Sequence, residues 1–496
     1  MLPIGLLCGT AAIASAGDIV PTPRGCEAGV WRSAARPLIA GGTSIASDVR
    51  PVRVWFDGDH PNSGLIAPAV LTAIEQAWDL QVDVLGFAAP ILPDASAGPD
   101  FDVYLLRYQE WSAYVAADAY TDALPGDGRN STSAYMVIDR RLPIEAVPSY
   151  AAHEFNHVLQ FATDFSEPTL PIWEGTATAA QSWTFGDAGR WDYDVPSFQE
   201  VPQYPALTAD SYRVYAETGL GWTYEYGAAL WVQFLDEKLG YGDGRGGVEL
   251  WDLAANEGLG LEPDVVDAFA GAAGSDLGIA MAHLSLVRFL TGADWDDRGL
   301  AAAAAWGDAE AVPAELLDAS ALPFERAPIA PPMILGQSFL DFDLAGLAPG
   351  IDQVVHVSVT SESGANSGIA VLWWTDGGGT GDALAGGAAP LVEVPAEGLA
   401  RVVVAVTNLG PVGWDGDQDA YVPGDQVVSV ALTDPTSVTT PPTGPTGPTD
   451  TGAPVDAGDD GVLGGSTACG CGSGLPAGAG MFPIALMVFG RRRSRR

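Results

Sequence analysis

His153, Glu154 and His157 stand in the run Ser-Tyr-Ala-Ala-His-Glu-Phe-Asn-His-Val-Leu-Gln-Phe. Two histidines four residues apart on a helix lie one turn apart on one face, so both rings can reach a single metal ion. Glu154 follows the first of them, where its carboxylate can take a proton from a metal-bound water. The chain has five histidines in all, so two of them at this spacing carry weight.

A third donor follows after a polar, turn-rich connection of Thr163, Asp164, Ser166, Glu167 and Pro168. The segment Pro171-Ile172-Trp173-Glu174-Gly175-Thr176-Ala177 then reads as a second helix, with Pro171 in its first turn. Sixteen residues lie between His157 and Glu174, enough for a helix to end, reverse and return beside itself. Glu174 becomes the third ligand, with Glu167 as the alternative. Three protein ligands leave zinc a fourth position for water, as hydrolysis requires. Gly175 and the alanines after it allow helices to approach closely.

These residues resemble the gluzincin metallopeptidases, in which HExxH is followed by a Trp-Glu-Gly or Trp-x-x-Glu-Gly element. Secreted bacterial metalloproteases of the myxobacterial type are the nearest likeness. The specific part of the resemblance runs over residues 150–183, within a broader likeness over 45–320. It implies zinc held by His153, His157 and Glu174, with Glu154 as general base and acid. It also implies a zincin-like order of sheet and then active-site helix, with substrate pairing to an edge strand at Ala134–Ile138; an inner strand with no free edge is the alternative, because strand order cannot be read from one sequence.

Composition narrows the class. A net charge of −41 repels phosphate backbones and argues against nucleic acid as a partner. At 496 residues and 47% hydrophobic content the chain can form several packed cores. Residues 1–16 end in Ala14-Ser15-Ala16 and read as a signal peptide; residues 17–45 are a candidate propeptide. At the other end, residues 437–468 form a linker rich in Pro, Thr, Gly and Asp. It leads to Cys469-Gly470-Cys471, an apolar run and a terminal arginine cluster. That order resembles the myxobacterial C-terminal sorting tails, so 469–496 reads as a membrane anchor that is later cut. The resemblance implies export and sorting machinery as partners, and a protein at the cell surface or released from it. Cys26 alone remains in the mature body, which excludes an internal disulfide there.

Between the ends, residues 46–325 read as an α+β zincin-like catalytic domain: a mixed sheet, the active-site helix, then a helical subdomain. Strands are expected at Val52–Phe56, Phe101–Leu106 and Ser133–Asp139, with a helix over Ala67–Leu85. Helices are expected at Tyr224–Leu239, Gly247–Ala255, Pro263–Ala272 and Leu277–Leu290. Tyr226, ahead of Gly227, is the candidate oxyanion donor, with Tyr224 second; aromatic residues opening an apolar helix also suit a core. Short β runs from Phe339 to Leu432 predict a β-sandwich over 330–436. Its Asp415/Asp417/Asp419 turn is a Ca²⁺ candidate, but Ala420 and Gln426 break the EF-hand pattern and favour a solvated turn. His283 and His356 read as structural.

Together these features predict an exported zinc metallopeptidase acting on proteins or peptides. The rival is a surface binding or adhesion protein that kept the fold, lost turnover and works through its β-sandwich.

Overall fold

The computed structural model describes residues 36–433, apart from residue 40 and stretches at 94–97, 108–112, 119–121, 168, 187–189, 243, 256–264, 319–321, 345–352 and 415–419. The candidate signal peptide, Cys26, the linker, the sorting tail and the Asp415/Asp417/Asp419 turn lie outside the described residues.

Alternation of apolar and polar residues builds the first layer. Strands β1 (Thr43–Ala46) and β2 (Val52–Phe56) pair antiparallel, and helix α1 (Ser63–Ala77) leads from β2 to β3 (Phe101–Leu106). With β4 (Ala113–Ala117) and β5 (Ala134–Asp139) they make a five-stranded sheet in the order β1-β2-β3-β5-β4. β2, β3 and β5 run parallel, whereas β4 pairs antiparallel to β5. Val52, Val54, Val103, Leu105, Met136 and Ile138 bury one face against α1 and the helix that follows β5. The helix expected over Ala67–Leu85 begins earlier, at Ser63, and widens from Trp78 into a π-type stretch ending at Gly86.

The opposite face of the sheet carries Tyr104, Tyr114 and Tyr135. Arg36 clamps across it, donating from Nε and one terminal nitrogen to the Asp118 carboxylate at 2.7 and 2.6 Å and from the other to Asp102. Its guanidinium lies 5.9 Å from the Tyr135 ring centre. The sheet domain therefore begins inside the stretch 17–45.

Two long helices follow, α2 (Val147–Thr163) and α3 (Leu170–Phe185), each with a proline in its first turn. The helical part continues through α4 (Val195–Gln199), α5 (Ser211–Thr218), α6 (Tyr224–Gly227), α7 (Ala229–Lys238), α8 (Arg245–Ala254), α9 (Val265–Ala273) and α10 (Leu277–Phe289). The single helix expected over Tyr224–Leu239 is broken at Ala228, between α6 and α7. Among the described residues, no single helix is long and apolar enough to cross a membrane.

The remainder forms two facing sheets. Their strands are β6 (Glu315–Asp318), β7 (Phe324–Arg326), β8 (Gln337–Asp343), β9 (Val354–Ser361), β10 (Ser367–Thr375), β11 (Thr380–Gly387), β12 (Leu391–Pro395), β13 (Leu399–Asn408) and β14 (Gln426–Thr433). One sheet has the order β11-β10-β13-β8-β6 and the other β12-β9-β14-β7. Leu340, Phe342, Val357, Val371, Val404 and Val430 fill the space between them.

This sandwich shares its outer face with the helical part. Phe339, Leu372, Val403 and Ala405 belong to the same apolar core as α2 and α3. Glycines permit the approach of α10: a Cβ on Gly368 would lie 2.5 Å from the Gly278 carbonyl oxygen, and one on Gly386 3.2 Å from the Gly278 Cα. Arg288, fully buried at the end of α10, donates to Gln199 at 2.8 Å, to Gln337 of β8 at 2.9 Å and to the Phe198 carbonyl at 2.8 Å. A buried guanidinium must satisfy its donors internally, so this one fixes α4, α10 and β8 to one another.

Candidate metal centre

Helix α2 runs through the middle of the core, with residues 151–163 buried without a break. One face presents His153 and His157, and α3 crosses it with Glu174 toward them. The three residues are 6%, 0% and 3% exposed. His153 Nε2 lies 3.1 Å from His157 Nε2 and 3.1 Å from Glu174 Oε2, and the third edge, His157 Nε2 to Glu174 Oε2, is 3.5 Å. A tetrahedral ion with bonds of about 2.0–2.1 Å needs donors about 3.3 Å apart. All three edges fall close to that length. Two imidazoles and a carboxylate are a donor set that suits zinc, and three of them leave a coordination position open. Among the described residues this is the group of His, Cys, Asp and Glu side chains arranged to hold a metal ion.

Surrounding amides orient the ligands. His157 Nδ1 lies 2.7 Å from Gln160 Oε1. The amide oxygen can only accept, so the ring carries a proton on Nδ1 and turns Nε2 to the centre, where a metal would take its lone pair. The Gln160 amide nitrogen donates to Asn156 Oδ1 at 2.8 Å and to the Trp173 carbonyl at 3.0 Å. Asn156 donates to Gln81 Oε1 at 3.1 Å, and Gln81 donates to the Ala152 carbonyl at 3.1 Å. This buried chain ties α2 to α3 and to the π-type turn after α1. Sequence reasoning missed it. Gln160 alone was detectable, three residues after His157 on the same helix.

Glu154 is fully buried next to His153, and its charge acts on His157. Tyr226 is half-buried on α6, its ring stacked on His153 with centres 5.9 Å apart and planes 23° apart. Tyr224, the second choice, is fully buried and donates its hydroxyl to the Tyr204 carbonyl at 3.2 Å, so it belongs to the core. Glu167, the alternative third ligand, is turned into the connection instead. Its carboxylate accepts from the Thr169 hydroxyl at 2.6 Å, and its carbonyl accepts from the Trp173 indole at 3.0 Å. The space that Gly175 leaves is filled by Ala228: a Cβ there would lie 3.0 Å from the Ala228 carbonyl carbon. This glycine therefore brings α6 and Tyr226 to α3, rather than joining α3 to α2.

The edge expectation needs correction. Ala134–Ile138 lies in β5, an inner strand between β3 and β4, and the edge on that side is β4. Ala-Tyr-Val-Ala-Ala is a weak strand signal, and the antiparallel return that places β4 outside β5 is not visible in a linear pattern. His283 meets Phe234 edge-on at 4.9 Å, a packing contact.

Electrostatics favour a cation. Burial opposes charge on His157, yet the Glu174 and Glu154 carboxylates push its pKa up to about 9. Burial holds His153 below its ordinary value. Burial also opposes the Glu174 carboxylate, but the histidines beside it hold it well below the usual range. Burial and then the Glu174 charge raise Asp194 to about 6, and the same two causes raise Glu225 to about 8.

A pH dependence follows. Below its pKa of about 9, His157 carries a proton that an incoming metal must displace. Metal affinity is expected to rise about tenfold per pH unit from neutrality toward that pKa, with about one proton released per ion. Chelator competition at several pH values measures it, and a flat profile would contradict the protonated His157.

No family model and no curated protein matches the chain. Among solved structures, a similar chain is the pre-peptidase C-terminal domain of a collagenase from Bacillus anthracis. It is 12% identical over 24% of this chain and 95% of that one, with a TM-score of 0.15. A likeness that low carries no argument, and the functional reading rests on the site.

Proposed function

We propose that the chain is a zinc-dependent peptide-bond hydrolase with a zincin-like catalytic half. The observation that carries this reading is the His153/His157/Glu174 triangle, with edges of 3.1, 3.1 and 3.5 Å, next to the buried carboxylate of Glu154. Zinc held by these three side chains supplies Lewis acidity for a water and for a carbonyl. Glu154 takes the proton of the attacking water and passes it to the leaving amine. Tyr226 donates a hydrogen bond to the developing oxyanion. Gln160 keeps His157 in the tautomer that the site requires. An intact set of base and ligands favours turnover over a fold kept only for adhesion. Export and retention by the C-terminal tail belong to the same proposal, on the sequence alone.

Digestion of a peptide library by residues 17–440, zinc-loaded or chelated, tests it. New termini with the loaded protein alone are expected; none at one zinc per chain would leave a binding protein. Tyr226→Phe is expected to lower kcat by roughly ten- to a thousandfold while zinc content stays constant. An unchanged kcat would return Tyr226 to a packing role.

A further inference from the structure

Helix α5 and the loop after it carry a group of exposed aromatic and aliphatic side chains. Tyr212 and Tyr215 on α5 are 86% and 43% exposed, and Leu220 and Trp222 in the loop after it are 46% and 38% exposed. Tyr212 and Tyr215 are three residues apart and share a helix face. Tyr215 and Trp222 meet edge to face with ring centres 5.1 Å apart, so the loop residue continues that face. Exposed apolar groups that cluster mark a place where something binds.

The ledge is rigidly built. Gly221 has a left-handed φ of 71°, and a Cβ on it would lie 2.5 Å from Val214. Only glycine lets the loop lie this close to α5. From below, the Tyr421 hydroxyl accepts from the Asp210 N–H at 3.2 Å, and the Arg213 guanidinium lies 3.3 Å from the Tyr421 ring centre. Rigid aromatic surfaces bind at low entropic cost.

Hydrogen bonds tie the ledge to α6, the helix that meets the centre. The Ser211 N–H, at the start of α5, donates to Glu225 Oε2 at 2.6 Å, and the Ser211 hydroxyl donates to the same oxygen. Glu225 precedes Tyr226, which stacks on His153. One carboxylate thus joins the ledge to the helix that carries the candidate oxyanion donor.

We propose that Tyr212, Tyr215, Leu220 and Trp222 receive aromatic and aliphatic side chains of a polypeptide substrate whose scissile bond lies at the metal centre. This deepens the peptidase reading and rests on it. The enzyme then selects unfolded or loosely folded chains, because such side chains are otherwise buried.

The test uses two quenched peptides of equal length, one with Phe and Leu around the scissile bond and one with Ser and Asn. The wild-type protein is expected to prefer the apolar peptide. Tyr215→Ala/Trp222→Ala, checked for zinc content, is expected to lose roughly 10- to 100-fold in kcat/KM on it, through KM, and to lose the preference. An unchanged ratio of kcat/KM values overturns the ledge and leaves the peptidase reading intact. If the wild type cleaves neither peptide, calorimetry with Glu154→Gln separates the two claims. Binding of the apolar peptide that disappears in the ledge variant upholds the ledge while the hydrolysis reading falls. A concentration-dependent dimer or liposome binding abolished by Tyr212→Ala assigns the ledge to a second copy or to lipid, and overturns the proposal.

Discussion

Replacing Glu154 by glutamine is expected to leave about one zinc per chain in place and to lower peptide hydrolysis by at least about a hundredfold. Glutamine keeps the size of the side chain, so the packed interior of α2 should accept it. It removes the charge and the basicity. Glu154 is not among the three side chains that converge at 3.1–3.5 Å, so metal retention and hydrolysis are expected to separate at this residue. The measurement is zinc content and turnover on the same preparation. Parallel loss of both would make Glu154 a structural residue.

Replacing His157 by alanine should do the opposite. It removes one corner of the donor triangle and leaves Gln160, bonded to the His157 ring at 2.7 Å, without that partner. Outer-shell changes at metal sites typically cost 10- to 100-fold in affinity. Gln160→Ala is expected within that range, and His157→Ala beyond it, at roughly a thousandfold or more on the same scale. Hydrolysis should fall with occupancy and recover in part for Gln160→Ala at high zinc. Competition with a chromogenic chelator reads both values. Equal zinc affinity in His157→Ala and the parent would remove this histidine from the centre.

The centre was legible in the sequence because helical geometry is local. His153 and His157 repeat at one turn, and Trp173-Glu174-Gly175 follows at a distance that allows one reversal. What tertiary folding decides was not legible. The Gln81–Asn156–Gln160 chain joins residues far apart in sequence. β4 acquires its place only by returning outside β5. The helix over Tyr224–Leu239 breaks at Ala228, where α3 crosses at Gly175. β9, β10, β13 and β14 showed their β-branched runs and β8 its Phe-Leu-Asp-Phe pattern, whereas β11, Thr-Gly-Asp-Ala-Leu-Ala-Gly-Gly, looked like a loop. Its Gly386 is there because α10 lies against it.

The sandwich looked like an appended module and is built into the half that carries the His153/His157/Glu174 group. Arg288 joins α10 to β8, and the Met333 and Gln337 N–H groups donate to the Gln203 and Pro202 carbonyls at 2.9 and 2.7 Å. The segment before α5 is thus bonded to the start of β8, and Tyr421 supports α5 itself. In physical terms, the second half supports the helical part that carries α5.

The most direct measurement is an anomalous difference map at the zinc edge from crystals of the zinc-loaded protein. The expected result is one strong peak at about 2.0–2.2 Å from His153 Nε2, His157 Nε2 and a Glu174 carboxylate oxygen. A peak elsewhere, or none at this triangle in crystals that contain zinc, would contradict the account.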